Sequence, residues 1–179
     1  MTPLRSWTVL AGILGADVMR CDRVLPNLFV GPDLRDEEDF ETLRTLKISA
    51  ILSLQTEDDF RREDGLEWER SAASRAGLAF CNVPVTDFDR VDLQRKLPEC
   101  VAALDRLLKA GHTVYLHCTA GVNRSPTVAV AYLHWCRAWS LEDASACVQK
   151  ARRCVPDTEA IRRARWPGST SSPEIEKEP

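Results

Sequence analysis

The sequence contains no long hydrophobic run, only three histidines and no surplus of positive charge. Because a membrane-spanning helix needs about 20 consecutive apolar residues, we expect no membrane partner. The 27 acidic and 24 basic residues give a formal net charge of −3, so no nucleic-acid partner bound through a basic surface is expected either. No His/Asp cluster has the spacing of metal ligands, and the sequence therefore predicts no metal and no cofactor.

The seven cysteines show no pattern typical of a zinc site or a disulfide framework. Their number is odd and no Cys-x-x-Cys pair occurs, which argues against both kinds of site. We therefore predict a reducing compartment and a cytoplasmic location.

The length of 179 residues, with 44% hydrophobic and 28% charged residues, is typical of one globular domain. We place this domain at residues 23–166. Residues 1–22 are predicted to form an N-terminal arm or helix, although their apolar stretch also fits a targeting segment. Residues 167–179 have too little apolar surface to fold and are predicted to be a disordered tail.

Three short apolar runs, residues 49–54, 78–85 and 113–116, predict buried central strands. Residues 23–31 predict one further extended segment, and Pro98 is placed in the first turn of a helix. Strands that alternate with helices predict an α/β fold with a mostly parallel central sheet flanked by helices. In such sheets a ligand binds at the carboxyl ends of the strands, so the site should follow the three central runs.

The most informative segment follows the third run and reads His117-Cys118-Thr119-Ala120-Gly121-Val122-Asn123-Arg124-Ser125. Five residues between Cys118 and Arg124 can wrap backbone N–H groups around a tetrahedral dianion, and the next helix adds its positive end. The planar fork of Arg124 can bind two oxygens of the same group. These donors favour thiolate over thiol at Cys118, which makes it a nucleophile for phosphorus.

This Cys-(five residues)-Arg loop resembles the signature of the cysteine-dependent phosphatases, and the compact chain resembles their shallow-cleft, dual-specificity type. The resemblance implies that Cys118 forms a cysteinyl-phosphate while Arg124 and the loop residues 119–123 bind the phosphoryl group. It also implies that the Ser125 hydroxyl assists the departing thiolate and that His117 orients the loop.

The same resemblance implies a general acid on a loop about thirty residues before the cysteine. Asp87, Asp89 and Asp92 are the candidates, at 31, 29 and 26 residues before Cys118. Asp87 leaves the predicted strand first and is favoured, with Asp89 as the alternative. Asp92 is better interpreted as the N-cap of the following helix.

Four segments are similar to the glucan phosphatases, the plant starch-excess and animal glycogen phosphatases. They are residues 52–59, 87–98, 111–122 and 152–161. The likeness implies a phosphoglucan substrate, held by aromatic side chains around the cleft. Asn123 departs from this branch, which usually has glycine there, and it should make the rim bulkier and more polar.

Phe88, beside the favoured acid, is the main candidate for a sugar contact. Phe60 and Trp68 either line the cleft as well or pack in the core. A phosphoprotein carrying phosphotyrosine, phosphoserine or phosphothreonine is the rival substrate. A phosphoinositide substrate is disfavoured because the loop has no lysine. A non-catalytic phosphate-binding module is disfavoured because Cys118 and Arg124 are both present.

Two further expectations concern regions outside the loop. The basic stretch at residues 150–165 is interpreted as a solvated helical face, or as a surface that attracts an acidic partner. Cys81 is predicted on a strand next to residues 113–116, where it either forms a disulfide with Cys118 on oxidation or is an inert core thiol.

Overall fold

Strands and helices alternate along the chain in the computed structural model, which describes residues 19–61 and 64–167. The elements are β1 Asp22–Leu25, β2 Leu28–Gly31, α1 Glu37–Thr45, β3 Ala50–Ser53, α2 Gly65–Arg75, β4 Ala79–Asn82, α3 Arg90–Lys109, β5 Val114–His117, α4 Arg124–Arg137, α5 Leu141–Ala151 and α6 Thr158–Arg163. Most of the expected N-terminal arm and nearly all of the expected tail lie outside the described residues.

The strands form one sheet in the order β1-β2-β5-β3-β4, in which β2, β5, β3 and β4 run parallel and β1 is antiparallel. This confirms the mostly parallel sheet. Residues 23–31 are a hairpin rather than one extended segment, because the chain turns between β1 and β2.

Helices cover both faces of the sheet. Ile51 and Tyr115 pack with the apolar residues of α1 and α2, whereas Leu52 and Leu116 pack with those of α3, α4, α5 and α6. Every residue of β3 and β5 is buried, as strands covered on both faces require. Along the described part of the chain, no helix is long and apolar enough to cross a membrane.

The sequence predicts that β4 is a buried strand, but β4 lies at the edge of the sheet. Its residues are only half-buried, because β4 has a neighbour on one side alone. The expectation that Cys81 lies on a strand next to β5 was wrong, since β3 separates the two strands. With about 4.8 Å between neighbouring strands, Cys81 is about 10 Å from β5. All seven cysteines are free thiols.

Helix α3 begins earlier than the position of Pro98 predicts. Its N-cap is Asp89, whose carboxylate accepts the N–H groups of Val91 and Asp92. Pro98 therefore lies inside the helix, and Asp92 is not the cap. Instead the Asp92 carboxylate accepts the N–H of Thr86 and so ties the helix to the loop before it.

Candidate active site

The loop between β5 and α4 is held open by hydrogen bonds to its outward-facing carbonyls. The donors are Asp33 N–H to Thr119 O (3.0 Å), Arg152 Nη2 to Ala120 O (3.1 Å), Arg152 Nε to Gly121 O (2.6 Å) and Val155 N–H to Val122 O (2.8 Å). In a trans peptide the next N–H points opposite to the carbonyl, so the amides of residues 120–123 face inward. Within the described residues these four N–H groups have no partner. The loop is thus a concave set of donors suited to an oxyanion.

Gly121 is required by this geometry. Its φ is +63°, and an added Cβ would lie 2.4 Å from the carbonyl oxygen of Gly31. Asn123, where the glucan branch usually has glycine, has φ −121° at the N-cap of α4. Its side-chain Nδ2 donates to Val155 O at 3.0 Å, so it fastens the loop to the segment after α5.

The sulfur of Cys118 lies at the bottom of the loop and is nearly buried. Its Sγ is 3.3 Å from the hydroxyl oxygen of Ser125, in the first turn of α4. A hydroxyl at this distance can donate to a thiolate, so the structure brings together the two residues that the sequence paired.

His117 is fixed from behind by a carboxylate that the sequence analysis did not identify. Its Nε2 is 2.6 Å from Glu69 Oε1, and both side chains are fully buried. The hydroxyl of Ser53 donates to the other Glu69 oxygen at 3.3 Å, and the imidazole stacks on Tyr115. A signal was present in the sequence, because Glu69 shares the buried face of α2 with Ala72 and Ala73.

Arg124 is held by Asp59, the second residue that the sequence analysis missed. Nη1 and Nη2 of Arg124 donate to the two oxygens of Asp59 at 2.8 and 3.1 Å. Arg124 also donates to Val85 O and to the Thr119 hydroxyl. Its side chain is only 2% exposed, and Nε is the one guanidinium N–H without a partner among the described residues. That N–H is free to bind a substrate oxygen.

The charges of this pair stabilise each other. Burial alone would raise the pKa of Asp59, but the hydrogen bonds from Arg124 and Thr56 outweigh it and lower the pKa. For Arg124, burial acts to lower the pKa, but the hydrogen bond to Asp59 together with the electrostatic attraction of Cys118, Asp59 and Asp87 outweighs burial, so the pKa is raised. Asp59 follows β3 and so lies at the same edge of the sheet as the loop. Its position after a predicted central strand was the feature of the sequence that could have indicated a role in the site.

Asp87 reaches the loop, as the sequence predicts for the acid. Its Oδ2 is 3.1 Å from Nη2 of Arg124, and its Oδ1 accepts the N–H of Phe88. Its side chain is 36% exposed, so it can meet a substrate from outside. The Asp89 carboxylate is engaged as the cap of α3 and does not share this position.

Four exposed apolar residues lie at the cleft or next to it, and we call them the rim. Phe88 lines the cleft, Val91 follows the lining residue Arg90, Val122 belongs to the loop, and the N–H of Val155 donates to Val122 O. The cleft has a volume of about 480 Å³ and is lined in part by Asp87, Phe88, Asn123 and Arg124. Phe88 has a φ of +57°, an uncommon conformation that costs on the order of 1–3 kcal/mol and turns the ring outward.

Neither of the other two candidate aromatics is among the residues that line the cleft. Trp68 packs edge-on against Phe40, with 5.8 Å between ring centroids. Phe60 lies over Gly65, where an added Cβ would collide with it. Among the described residues, no group of three or more His, Cys, Asp or Glu side chains could hold a metal ion.

The buried position of Arg152 shows that the interpretation of residues 150–165 as a solvated helical face was wrong at this residue. Its side chain is 9% exposed and lies under the loop, where it donates to the backbone and to Asp22. The next residue, Arg153, is exposed and fits the expected surface role. The burial of Arg152 follows from its place at the C-cap of α5, where the chain turns back toward the loop.

Comparison with known proteins gives one family. The family described as "Dual specificity phosphatase, catalytic domain" matches residues 31–163. The active form of Tk-PTP is a similar solved structure, with a TM-score of 0.65 and 20% identity, covering 79% of this chain and 90% of that chain.

Among the similar curated proteins, two are named phosphoglucan phosphatases and a third is named laforin. The Arabidopsis thaliana protein "Phosphoglucan phosphatase LSF1, chloroplastic" is 37% identical over 150 residues, 83% of this chain and 25% of that protein. "Phosphoglucan phosphatase DSP4, amyloplastic" of Castanea sativa is 32% identical over 144 residues, 79% and 38% of the two chains. Laforin of Mus musculus is 28% identical over 165 residues, which are 85% of this chain and 50% of that protein. The chain therefore spans between a quarter and a half of the length of these relatives.

Proposed function

The chain belongs to the dual-specificity phosphatase family, as a cysteine phosphatase catalytic domain, and we propose that it removes phosphate from a phosphorylated glucan. The observation that carries this substrate is the rim, a set of four exposed apolar residues in the loop and in the segments next to the cleft. Sugars present apolar faces to such surfaces, and their hydroxyls remain in water. Two of the relatives named above are phosphoglucan phosphatases, which supports the same class of substrate.

The reaction begins with attack of the Cys118 thiolate on phosphorus. The S–P bond forms as the P–O bond to the sugar breaks, and Asp87 gives a proton to the leaving oxygen. The inward N–H groups of residues 120–123 and Nε of Arg124 bind the oxygens of the transferring phosphoryl group. Asp87 acts in this step as the protonated acid, and in that form it gives up the ion pair with Arg124 that the structure shows.

Hydrolysis of the cysteinyl-phosphate reverses these roles. Asp87, now ionised, takes a proton from water as the water oxygen attacks phosphorus. The S–P bond breaks, and the Ser125 hydroxyl, 3.3 Å from the sulfur, donates a hydrogen bond to the departing thiolate. The products are inorganic phosphate and the free enzyme.

A phosphoprotein is the second candidate substrate, because the exposure of Phe88 and Val155 would also suit apolar side chains next to a phosphorylated residue. The rim is less suited to a polyphosphorylated inositol. Arg90, which lines the cleft, is already paired with Asp157 at 2.6 Å, and the loop contains no lysine.

The substrate is tested by measuring phosphate release from amylopectin and glycogen beside release from phosphotyrosine and phosphoserine peptides. Cys118→Ser serves as the blank for contaminating activity. We expect kcat/KM, expressed per phosphate, to be higher for the glucans. Release from peptides without release from either glucan would replace the glucan proposal with the phosphoprotein one.

A further inference from the structure

Arg152 joins the end of α5 to the back of the anion-binding loop. Its Nε and Nη2 donate to the carbonyls of Gly121 and Ala120, and its Nη1 donates to Asp22 Oδ2 at 2.7 Å and to Arg20 O. We propose that Arg152 is a positioning residue that turns the central N–H groups of the loop toward the phosphoryl group. This inference rests on the phosphatase chemistry proposed above.

Peptide geometry connects these contacts to the substrate side of the loop. When a carbonyl is fixed on the outside, the N–H of the following residue must point inside. Arg152 therefore sets the direction of the N–H groups of Gly121 and Val122. The planar guanidinium presents two donors at a spacing that suits two successive carbonyls, and a lysine ammonium has no such fork.

The other outward carbonyls of the loop are held by backbone groups. Thr119 O and Val122 O accept from the N–H groups of Asp33 and Val155, which no side-chain substitution removes. In the described part of the chain, Arg152 supplies the only side-chain donors to the carbonyls of residues 119–122. A change at Arg152 should therefore free the middle of the loop while both of its ends stay attached.

Asp22 holds Arg152 in this position from the opposite side. The carboxylate belongs to β1 and forms an ion pair with Nη1, so the hairpin supports the loop through the arginine. The pair also provides a second way to disturb the loop, because Asp22 itself does not contact the loop backbone.

The test compares Arg152→Lys with the matched control Arg153→Lys, a change at the exposed neighbouring position. Alkylation of Cys118 is followed by peptide mapping with two reagents, anionic iodoacetate and neutral iodoacetamide. In both reactions the S–C bond forms as iodide leaves, but only iodoacetate uses the anion-binding loop. We expect the ratio of the iodoacetate to the iodoacetamide rate to fall about tenfold in Arg152→Lys and to be unchanged in Arg153→Lys.

Steady-state measurements accompany the alkylation. Arg152→Lys should lower kcat/KM for para-nitrophenyl phosphate by about 100-fold and raise the inhibition constant of tungstate. Unfolded protein would react with both reagents as an ordinary thiol and would itself lose the preference for iodoacetate, so the ratio is compared only for protein whose folded state is confirmed by circular dichroism. An unchanged ratio in a folded Arg152→Lys protein would overturn the proposal.

Asp22→Asn keeps the test decisive if Arg152→Lys does not fold. This variant should show the same fall in the ratio to a smaller extent, about threefold, and no fall would equally count against the proposal. The small substrate also separates the two proposals of this article. A wild-type protein that hydrolyses para-nitrophenyl phosphate but not glucan contradicts the glucan substrate and leaves the role of Arg152 open to the same measurement.

Discussion

The floor of the active site and its rim are built in opposite ways. The floor consists of Cys118, His117 and Arg124 together with their supports Glu69 and Asp59, and its side chains are buried or nearly so, with His117 next to Glu69 and Arg124 next to Asp59. The rim consists of four apolar residues that are between 41% and 101% exposed. On the proposed function, this difference separates two tasks: the floor carries the chemistry of the phosphate group, and the rim contacts the rest of the substrate.

The two regions also differ in what a substitution costs. Removing one partner of a buried ion pair leaves a charge without compensation and costs about 3–5 kcal/mol. Exposed substitutions usually change stability by about 0.5 kcal/mol or less. Changes in the floor should therefore affect stability and chemistry together, whereas changes in the rim should affect substrate choice alone.

The largest effect is expected at Cys118, the proposed nucleophile in the floor. Cys118→Ser should lower kcat for para-nitrophenyl phosphate by at least about 10⁴-fold, because the nucleophile is lost. The loop and Arg124 remain, so tungstate should still bind with an affinity similar to that of the wild type, as measured by calorimetry. Turnover within tenfold of the wild type would exclude the cysteinyl-phosphate route.

The second largest effect is expected at Asp87, which lies between the floor and the rim. Asp87→Asn should slow hydrolysis of phenyl phosphate by about 100- to 1000-fold and that of para-nitrophenyl phosphate much less, since only a poor leaving group needs the proton. Asp89→Asn is the matched control, because asparagine caps a helix as well as aspartate does. If Asp89→Asn instead shows the leaving-group dependence, the acid is Asp89.

A third prediction concerns a support of the floor. Asp59→Asn should lower kcat/KM for para-nitrophenyl phosphate by about tenfold or more and destabilise the protein by about 2–4 kcal/mol, because Arg124 loses its charged partner. Asp58→Asn, a change at the exposed neighbouring residue, should alter neither quantity. Equal behaviour of the two variants would show that the ion pair is not needed.

The Asp59 support also predicts a pH dependence of stability. The pKa of Asp59 is lowered in the folded protein, so its stabilising contribution is complete above the pKa of the unfolded chain. The contribution is lost as the pH falls through the lower, folded pKa. The unfolding free energies of wild type and Asp59→Asn, measured with denaturant, should therefore converge as the solution becomes acidic.

The sequence predicted the parts of the site whose signals are local. The loop is a run of nine consecutive residues, and Asp87 lies two residues after the predicted strand at residues 78–85. Asp59, Glu69 and Arg152 were missed because each acts on a residue at least 30 positions away, and such contacts exist only after folding.

The errors in the predicted fold have the same physical origin. The local preference of Pro98 predicts a helix start, but the Asp89 cap nine residues earlier and the buried face of α3 outweigh the missing N–H. Likewise, the apolar residues of β4 indicate a strand but not its place at the sheet edge, which depends on the order of the other strands.

The smallest effect, and the most selective, is expected in the rim. Phe88 is fully exposed, so Phe88→Ala should change the melting temperature little, and it leaves the loop and the floor untouched. If its ring stacks on a glucosyl unit next to the phosphate, the variant should lose about tenfold in kcat/KM on amylopectin and less than twofold on para-nitrophenyl phosphate. Binding of remote parts of a substrate helps only the substrate that has them.

Phe88→Tyr is the control, because it keeps the aromatic ring and should behave like the wild type on both substrates. Equal losses on both substrates in Phe88→Ala would mean that Phe88 acts by holding Asp87, its neighbour in the chain, and the boundary between floor and rim would then move to include it.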